Sequence, residues 1–203
     1  TRRSSDLRTM KLKLLFSSLC AALVVGLPTA VQAQRLVPSQ KGLEVSAGVP
    51  IVKGKSLFKQ DDFGLTLSLS HYLKRGKYAF VSAGYEQQAL SYRSYQVPLR
   101  DYLLQMGYAH PLLSDKGKNV YFYLGTSALV GYEQLNRDKV ILPDGAKLLD
   151  GSRWVYGAGL HTSVELFLTD RIIVGGKAQL RYLFNSDVHR LRPMLGLGLR
   201  YQL

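Results

Sequence analysis

The chain has 203 residues, with 27 Lys+Arg against 14 Asp+Glu and a single cysteine. That length allows one domain or a small pair, and one cysteine excludes any disulfide within the chain. The basic excess forms no charged tail and has no aromatic interleaving, so composition alone does not point to nucleic acid.

Residues 1–9 precede Met10 and read as an upstream extension. "MKLKLLFSSLCAALVVGLPTAVQAQ" follows. Lys11 and Lys13 come first, then an apolar run over 14–25, a break at Pro28, and Val31-Gln32-Ala33. This order predicts a secretory signal peptide over 10–33, cut between Ala33 and Gln34. The alternative, a helical membrane anchor, needs roughly 20 apolar residues, more than the run holds. Cys20 would suit a lipoprotein, but Leu19 stands where that signal has a small residue. Cleavage leaves 34–203 as one domain without thiols.

From there period-two alternation dominates, the pattern of strands with two different faces. "GLEVSAGV" sets Leu43, Val45, Ala47 and Val49 against Glu44, Ser46 and Gly48. "FGLTLSLSHYL" sets Phe63, Leu65, Leu67 and Leu69 against Gly64, Thr66, Ser68 and Ser70. "KYAFVSAGYEQQ" and "DYLLQMGYAH" continue it. "NVYFYLGTSALVGY", "RWVYGAGLHTSVELFL" and "IIVGGKAQLRYLF" repeat it, and "LGLGLRYQL" ends the chain on an eighth strand. Connections alternate too. Residues 50–61, 91–100, 134–151 and the stretch "NSDVHRL" are expected at one end. "KRGK", "PLLSDKGKN" and the three-residue "TDR" are expected at the other.

These features predict an all-β fold: an eight-stranded antiparallel up-and-down outer-membrane β-barrel with a narrow, filled lumen. The last strand pairs with the first, and lipid covers its apolar face. A soluble barrel of the lipocalin type alternates as well, but with its apolar residues inside. Residue size separates the two. The apolar faces carry Trp154, Tyr156 and Phe184, whereas the opposite faces carry mainly Gly, Ser and Thr. Tyr72, Tyr102, Tyr132, Trp154 and Tyr201 fall near strand ends, where interfacial aromatics belong.

Candidate chemistry is sparse. "GVPIVKGKS" glances at a phosphate loop, but five residues separate its glycines where the motif has four, and no helix follows. The glycine pairs 157/159 and 196/198 lie in strands, where they relieve crowding. "HTSVE" places His161, Ser163 and Glu165 on one face, a base, a nucleophile and a carboxylate. Neighbours on that face are about 7 Å apart, too far for direct hydrogen bonds without long side chains. Parity also turns them inward, away from acyl chains, so the plain reading is a packed polar interior. The four histidines show no ligand spacing. No catalytic, cofactor or metal residue is assigned, no cofactor is expected, and His161, Ser163 and Glu165 stay as the candidates for an enzyme.

Interior charge forms a set of Glu44, Glu86, Glu165, Lys177, Arg181 and Arg200. A three-residue "TDR" hairpin puts Ser163 opposite Lys177 and Glu165 diagonal to it. Glu44 and Glu86 then balance Arg181 and Arg200, which predicts a plugged lumen, because buried charge persists only when paired. The longest loop, 134–151, carries an apolar triplet, Val140, Ile141 and Leu142, ahead of a Pro143-Asp144-Gly145 turn, and is the expected partner contact.

"AQRLVPSQKGLEVSAG", "GSRWVYGAGLHTSVELFLTDRIIV" and "LGLGLRY" resemble the TraO family of conjugative-transposon transfer proteins, over essentially all of 34–203. The resemblance implies an exported, structural or interacting component of a mating apparatus in Gram-negative cells. It brings no catalytic or binding residues. Implied partners are other transfer proteins. Outer-membrane lipid and lipopolysaccharide are expected from the barrel reading, and direct nucleic-acid contact is not expected. A barrel enzyme acting on lipid or lipopolysaccharide, and a general adhesin or stability barrel, stand as the alternatives.

Overall fold

The computed structural model describes residues 36–51, 62–92, 95–136, 151–186, 188 and 190–203. The chain divides into two units, Thr1–Ala33 and Gln34–Leu203. The first lies outside the described residues, and with it the expected cleavage site at Ala33 and Gln34.

The second unit is a closed barrel. Its strands are β1 (Lys41–Pro50), β2 (Phe63–Tyr72), β3 (Tyr78–Tyr92), β4 (Tyr95–Ser114), β5 (Val120–Leu135), β6 (Arg153–Phe167), β7 (Ile172–Phe184) and β8 (Leu191–Gln202). Each pairs antiparallel with its chain neighbours, and β8 pairs with β1 from Gly42–Gln202 to Pro50–Met194. Closure satisfies both edges, so no row of backbone donors faces outward.

The outward faces are apolar. Leu67 is 50% exposed, Trp154 68% and Leu197 72%, while the serines between the β2 leucines are buried. A greasy belt of this extent suits hydrocarbon and not water. The lipocalin-like inversion therefore does not apply. The belt also has the right height. Outward positions run ten residues from Phe63 to Leu73, Tyr102 to Leu112, Phe122 to Tyr132, Trp154 to Val164, Val174 to Phe184 and Leu191 to Tyr201. Ten residues at about 3.4 Å each, tilted by about 40°, cover about 26 Å, close to the apolar band of a membrane barrel. Aromatic pairs mark one rim: Tyr85–Tyr102 at 5.3 Å, Tyr132–Trp154 at 5.6 Å and Tyr156–Phe184 at 5.6 Å between ring centroids.

At the turn end, Lys74–Gly76 forms a short 3-10 turn, Asp115 closes the β4–β5 turn, and Thr169 closes the β6–β7 turn by accepting from the Arg171 and Ile172 amides. The Leu168 amide donates to the Ile172 carbonyl, the hairpin expected of "TDR". At the loop end one expectation fails. The stretch 91–100 is largely strand, because β3 runs to Tyr92 and β4 starts at Tyr95. Inward Leu90, Val97 and Leu99 continue the alternation there and pack with Leu135 and Val188, which makes a longer hairpin worthwhile. Residues 137–150, with Val140, Ile141 and Leu142, lie outside the described residues.

Two corrections concern the lumen. It is not lined mainly by small residues. Tyr72, Tyr78, Tyr121, Tyr123, Phe167 and Ile173 fill its turn end, with Leu36 packed among them. Tyr72, expected at the membrane interface, is 0% exposed. Its parity with Ser68 and Ser70 turns it inward, and ring contacts with Tyr78 hold it there at 5.4 Å.

Candidate functional site

The lumen is built in layers, each set by strand parity. Above the aromatic plug lies a first charged cluster. Arg200 on β8 donates from Nη1 to Glu165 at 2.8 Å and to the Tyr72 hydroxyl at 2.6 Å, and from Nε to Glu44 at 2.9 Å. Its guanidinium lies 4.6 Å from the centre of the Tyr78 ring, and the Tyr78 hydroxyl donates to Glu165 at 3.0 Å. Lys177 donates to the other oxygen of Glu44 at 2.6 Å. Two acids meet two bases, so the buried charge is balanced and hydrogen-bonded. Lys177 was expected to reach Glu165. Instead it crosses to β1, because Arg200 and Tyr78 occupy both Glu165 oxygens.

A polar middle layer follows. Gln105 donates to Ser127 at 2.7 Å, and Gln179 donates to Gln105 at 3.0 Å. Beside them is a cavity of about 40 Å³ lined by Ser46, Thr66, Ser82, His161 and Lys177, among others. That is room for a few water molecules among polar partners. His161 packs edge-on against Phe80 with centroids 5.2 Å apart. It also leans over Gly125 on β5, where an added Cβ would stand 2.2 Å from its ring. Only glycine leaves that space.

His161, Ser163 and Glu165 do share the inner face of β6, and all three are buried. They are not linked to one another: His161 Nδ1 and Ser163 Oγ have no hydrogen-bond partner, and Glu165 is engaged by Arg200 and Tyr78. Among the described residues no group of three or more His, Cys, Asp or Glu gathers to hold a metal ion.

The second charged cluster lies toward the loop end. Glu86, Asp101 and Glu133 stand directly opposite one another across β3, β4 and β5, a rung of three carboxylates. Like charges so placed repel. Two arginines from the far wall, Arg181 and Arg192, themselves directly paired across β7 and β8, reach over to them. Arg181 pairs with Glu86, and Arg192 pairs with both Asp101 and Glu133. Ser186 donates to Glu133 at 2.8 Å. Leu103, Leu129, Val155 and Leu183 pack beside this cluster. Two of them face Gly157, where an added Cβ would stand 2.0 Å from the Tyr182 carbonyl oxygen.

Sequence reasoning named Glu86 and Arg181 but missed Asp101, Glu133, Arg192 and Ser186. The signal was present for three of them. Asp101 opens "DYLLQMGYAH" and shares parity with Gln105, Glu133 shares parity with Gly131 one residue past "NVYFYLGTSALVGY", and Arg192 shares parity with Arg200 three residues ahead of "LGLGLRYQL".

Among the described residues an apolar cluster thus lies at each end of the lumen, with two ionic layers and a small polar cavity between. A family model for the conjugative transposon protein TraO matches residues 37–203. The chain belongs to the TraO family. The match takes in all eight strands, so the layered lumen is a feature of this TraO-family domain and not of an appended segment. No curated protein sequence matches the chain. Solved structures show what the TraO-family barrel resembles in shape. Neisserial surface protein A matches with a TM-score of 0.55 at 16% identity, over 81% of this chain and 97% of its own. Ail, the attachment invasion locus protein of Yersinia pestis, in complex with the heparin analogue sucrose octasulfate, matches at 0.54 and 10% identity, over 82% and 100%. A major outer membrane protein of Thermus thermophilus matches at 0.54 and 12%, over 81% and 98%. At these identities the likeness is one of fold, that of outer-membrane β-barrels.

Proposed function

We propose that this TraO-family barrel sits in the outer membrane as a structural or interaction component of the conjugative-transposon transfer apparatus. The family supports the link to transfer, and the barrel fold with its apolar belt supports the membrane. One observation carries the mode of action. Among the described residues side chains occupy the lumen from the Tyr72–Tyr78 plug to the Val97–Leu99–Leu135 cluster and leave a cavity of only about 40 Å³, little room for a conducted solute or a lipid substrate. Function then belongs to the surfaces at the two ends. The barrel acts by holding partners, not by catalysis.

In this reading a signal peptide over 10–33 exports the chain and is removed after Ala33. The turn end faces the periplasm, and the loop end, including residues 134–151, faces outward. Loops on a rigid scaffold are where recognition concentrates, and that segment contacts another transfer protein or the recipient surface. Lipopolysaccharide surrounds the outer half of the belt.

The test is mating. Deleting the gene in a donor should bring transfer down to background, and the intact chain should restore it. A chain with 136–150 replaced by a short Gly/Ser linker should reach the outer membrane as a heat-modifiable barrel yet restore little transfer. Full transfer by the deletion strain would overturn the assignment. Full transfer by the shortened chain, at equal barrel abundance, would move the contact to the turn end.

A further inference from the structure

The turn end carries a second feature that the transfer reading does not use. Among the described residues its segments hold the side chains of Lys41, Lys74, Arg75, Lys77, Lys116, Lys118 and Arg171 against those of Asp115 and Asp170. Asp115 Oδ1 accepts from the Asn119 and Val120 amides, at 2.6 and 2.8 Å. Within this basic rim lies a concave pocket of about 310 Å³, walled by Pro38, Arg75, Pro111, Leu112, Leu113 and Lys118.

Three observations single the pocket out. First, β4 slips register between Pro111 and Leu113. Alternation is lost at this bulge, and Leu112 and Leu113 are both exposed, at 51% and 70%. Bulges re-aim side chains, and this one lays two leucines on the wall. Second, Arg75 and Lys118 both have left-handed backbones, with φ of 63° and 53°. Gly or Asn is the usual choice there, and strained positions cluster where a site needs them. Among the described residues neither side chain has a carboxylate partner. Third, height fits. Leu112 ends the ten-residue outward run from Tyr102, so the leucines mark the hydrocarbon edge. The two cations stand just beyond it, at headgroup depth.

We propose that this pocket binds an anionic phospholipid of the inner leaflet. Its headgroup phosphate lies between Arg75 and Lys118, and its acyl chains run along Leu112 and Leu113. The leucine wall continues the lipid-facing belt, and the cationic wall complements a phosphate. Those two facts favour a lipid over an acidic protein segment, which needs no alignment with the belt. The inference rests on the membrane placement above but not on the role in transfer.

The test uses the full barrel refolded into phosphatidylcholine vesicles holding a minor fraction of phosphatidylglycerol. Folding is read by heat-modifiability, and retained lipid by native mass spectrometry after gentle extraction. Arg75→Asn and Lys118→Asn remove the charges with a residue that accepts φ > 0. Phosphatidylglycerol should be retained in preference to phosphatidylcholine by the native chain. Each substitution should weaken that retention about fivefold and the pair about thirtyfold, the scale of one surface cation each. Arg171→Asn, outside the pocket wall, should change it little. Equal retention of the two lipids, or no loss in the double variant, overturns the proposal. So does saturation of the site by inorganic phosphate with no lipid preference. Reduced mating in the double variant with lipid retention intact would mark a protein-docking surface and also overturn it. A barrel that never inserts into the vesicles would sink the membrane placement itself, and this proposal with it.

Discussion

The two charged clusters of the lumen solve one problem in different ways. Near the turn end, Glu44 and Glu165 face Arg200 and Lys177, and Tyr72 and Tyr78 complete the hydrogen bonding around the guanidinium. Near the loop end, three carboxylates in one rung face two arginines, and Asp101 Oδ1 and Arg181 Nε are left without hydrogen bonds. The first cluster is balanced in charge, but Gln202 beside it on β8 has both amide atoms without hydrogen bonds. The second sets three acids in one rung, with Arg153 directly opposite Glu133 across β5 and β6, and it too has unmet hydrogen bonding. The comparison teaches that each layer is held by arginines reaching across to the opposite wall, whether the acids there are spread over two strands or set in one rung.

The largest expected effects are those that treat both ends alike. Arg200→Met takes the cation from Glu165 and leaves Glu44 with Lys177 alone, Arg192→Met takes the cation from Asp101 and leaves Glu133 with Ser186 and without Arg192, and each should cost about 3–5 kcal/mol. Urea unfolding of the barrel in lipid vesicles reads this directly. If Arg192→Met costs under about 1 kcal/mol, the loop-end cluster is not holding the walls together and the parallel fails.

Removing an acid should separate the ends. Glu165→Gln breaks a balanced pair and two hydrogen bonds, and should cost about 1.5–3 kcal/mol. Asp101→Asn relieves a like-charge rung, and should change stability by less than about 1 kcal/mol in either direction. Equal losses in the two variants would show that crowding three acids in one rung is immaterial. The two clusters share no hydrogen-bond partner, so the double variant should be additive within about 0.5 kcal/mol. A larger coupling would mean that the Gln105–Gln179 layer transmits strain between them.

The smallest effect is expected between the clusters. Ser163 Oγ is buried without a partner, so Ser163→Ala should be neutral or slightly stabilising, and transfer should be unaffected. A folded Ser163→Ala barrel that lost a lipid-modifying activity would instead promote Ser163 to a nucleophile.

Much of this architecture was legible in local pattern. Parity placed Glu44, Glu86, Glu165, Lys177, Arg181 and Arg200 on the inner face, and it placed Tyr72 there too. The interfacial reading of Tyr72 set parity aside on the ground that it lies near a strand end. Strand ends were less legible, because the β3–β4 hairpin continues through residues that also suit a loop; Glu133 and Arg192 lay past the expected ends, whereas Asp101 opened an expected strand on its inner face.

What the sequence determined by itself is the barrel: eight alternating segments and the apolar belt. Those follow from a period of two, which any stretch of ten residues displays without reference to the rest. What only the tertiary structure decided is which charges meet. Lys177 finds Glu44 rather than Glu165, and Arg192 finds Asp101 and Glu133, across a lumen whose facing walls are set by closure and stagger. Those partners lie 133, 91 and 59 positions apart along the chain. The bulge that exposes Leu112 and Leu113 beside Arg75 and Lys118 belongs to the same class, since a slipped register exists only between two strands that have already paired.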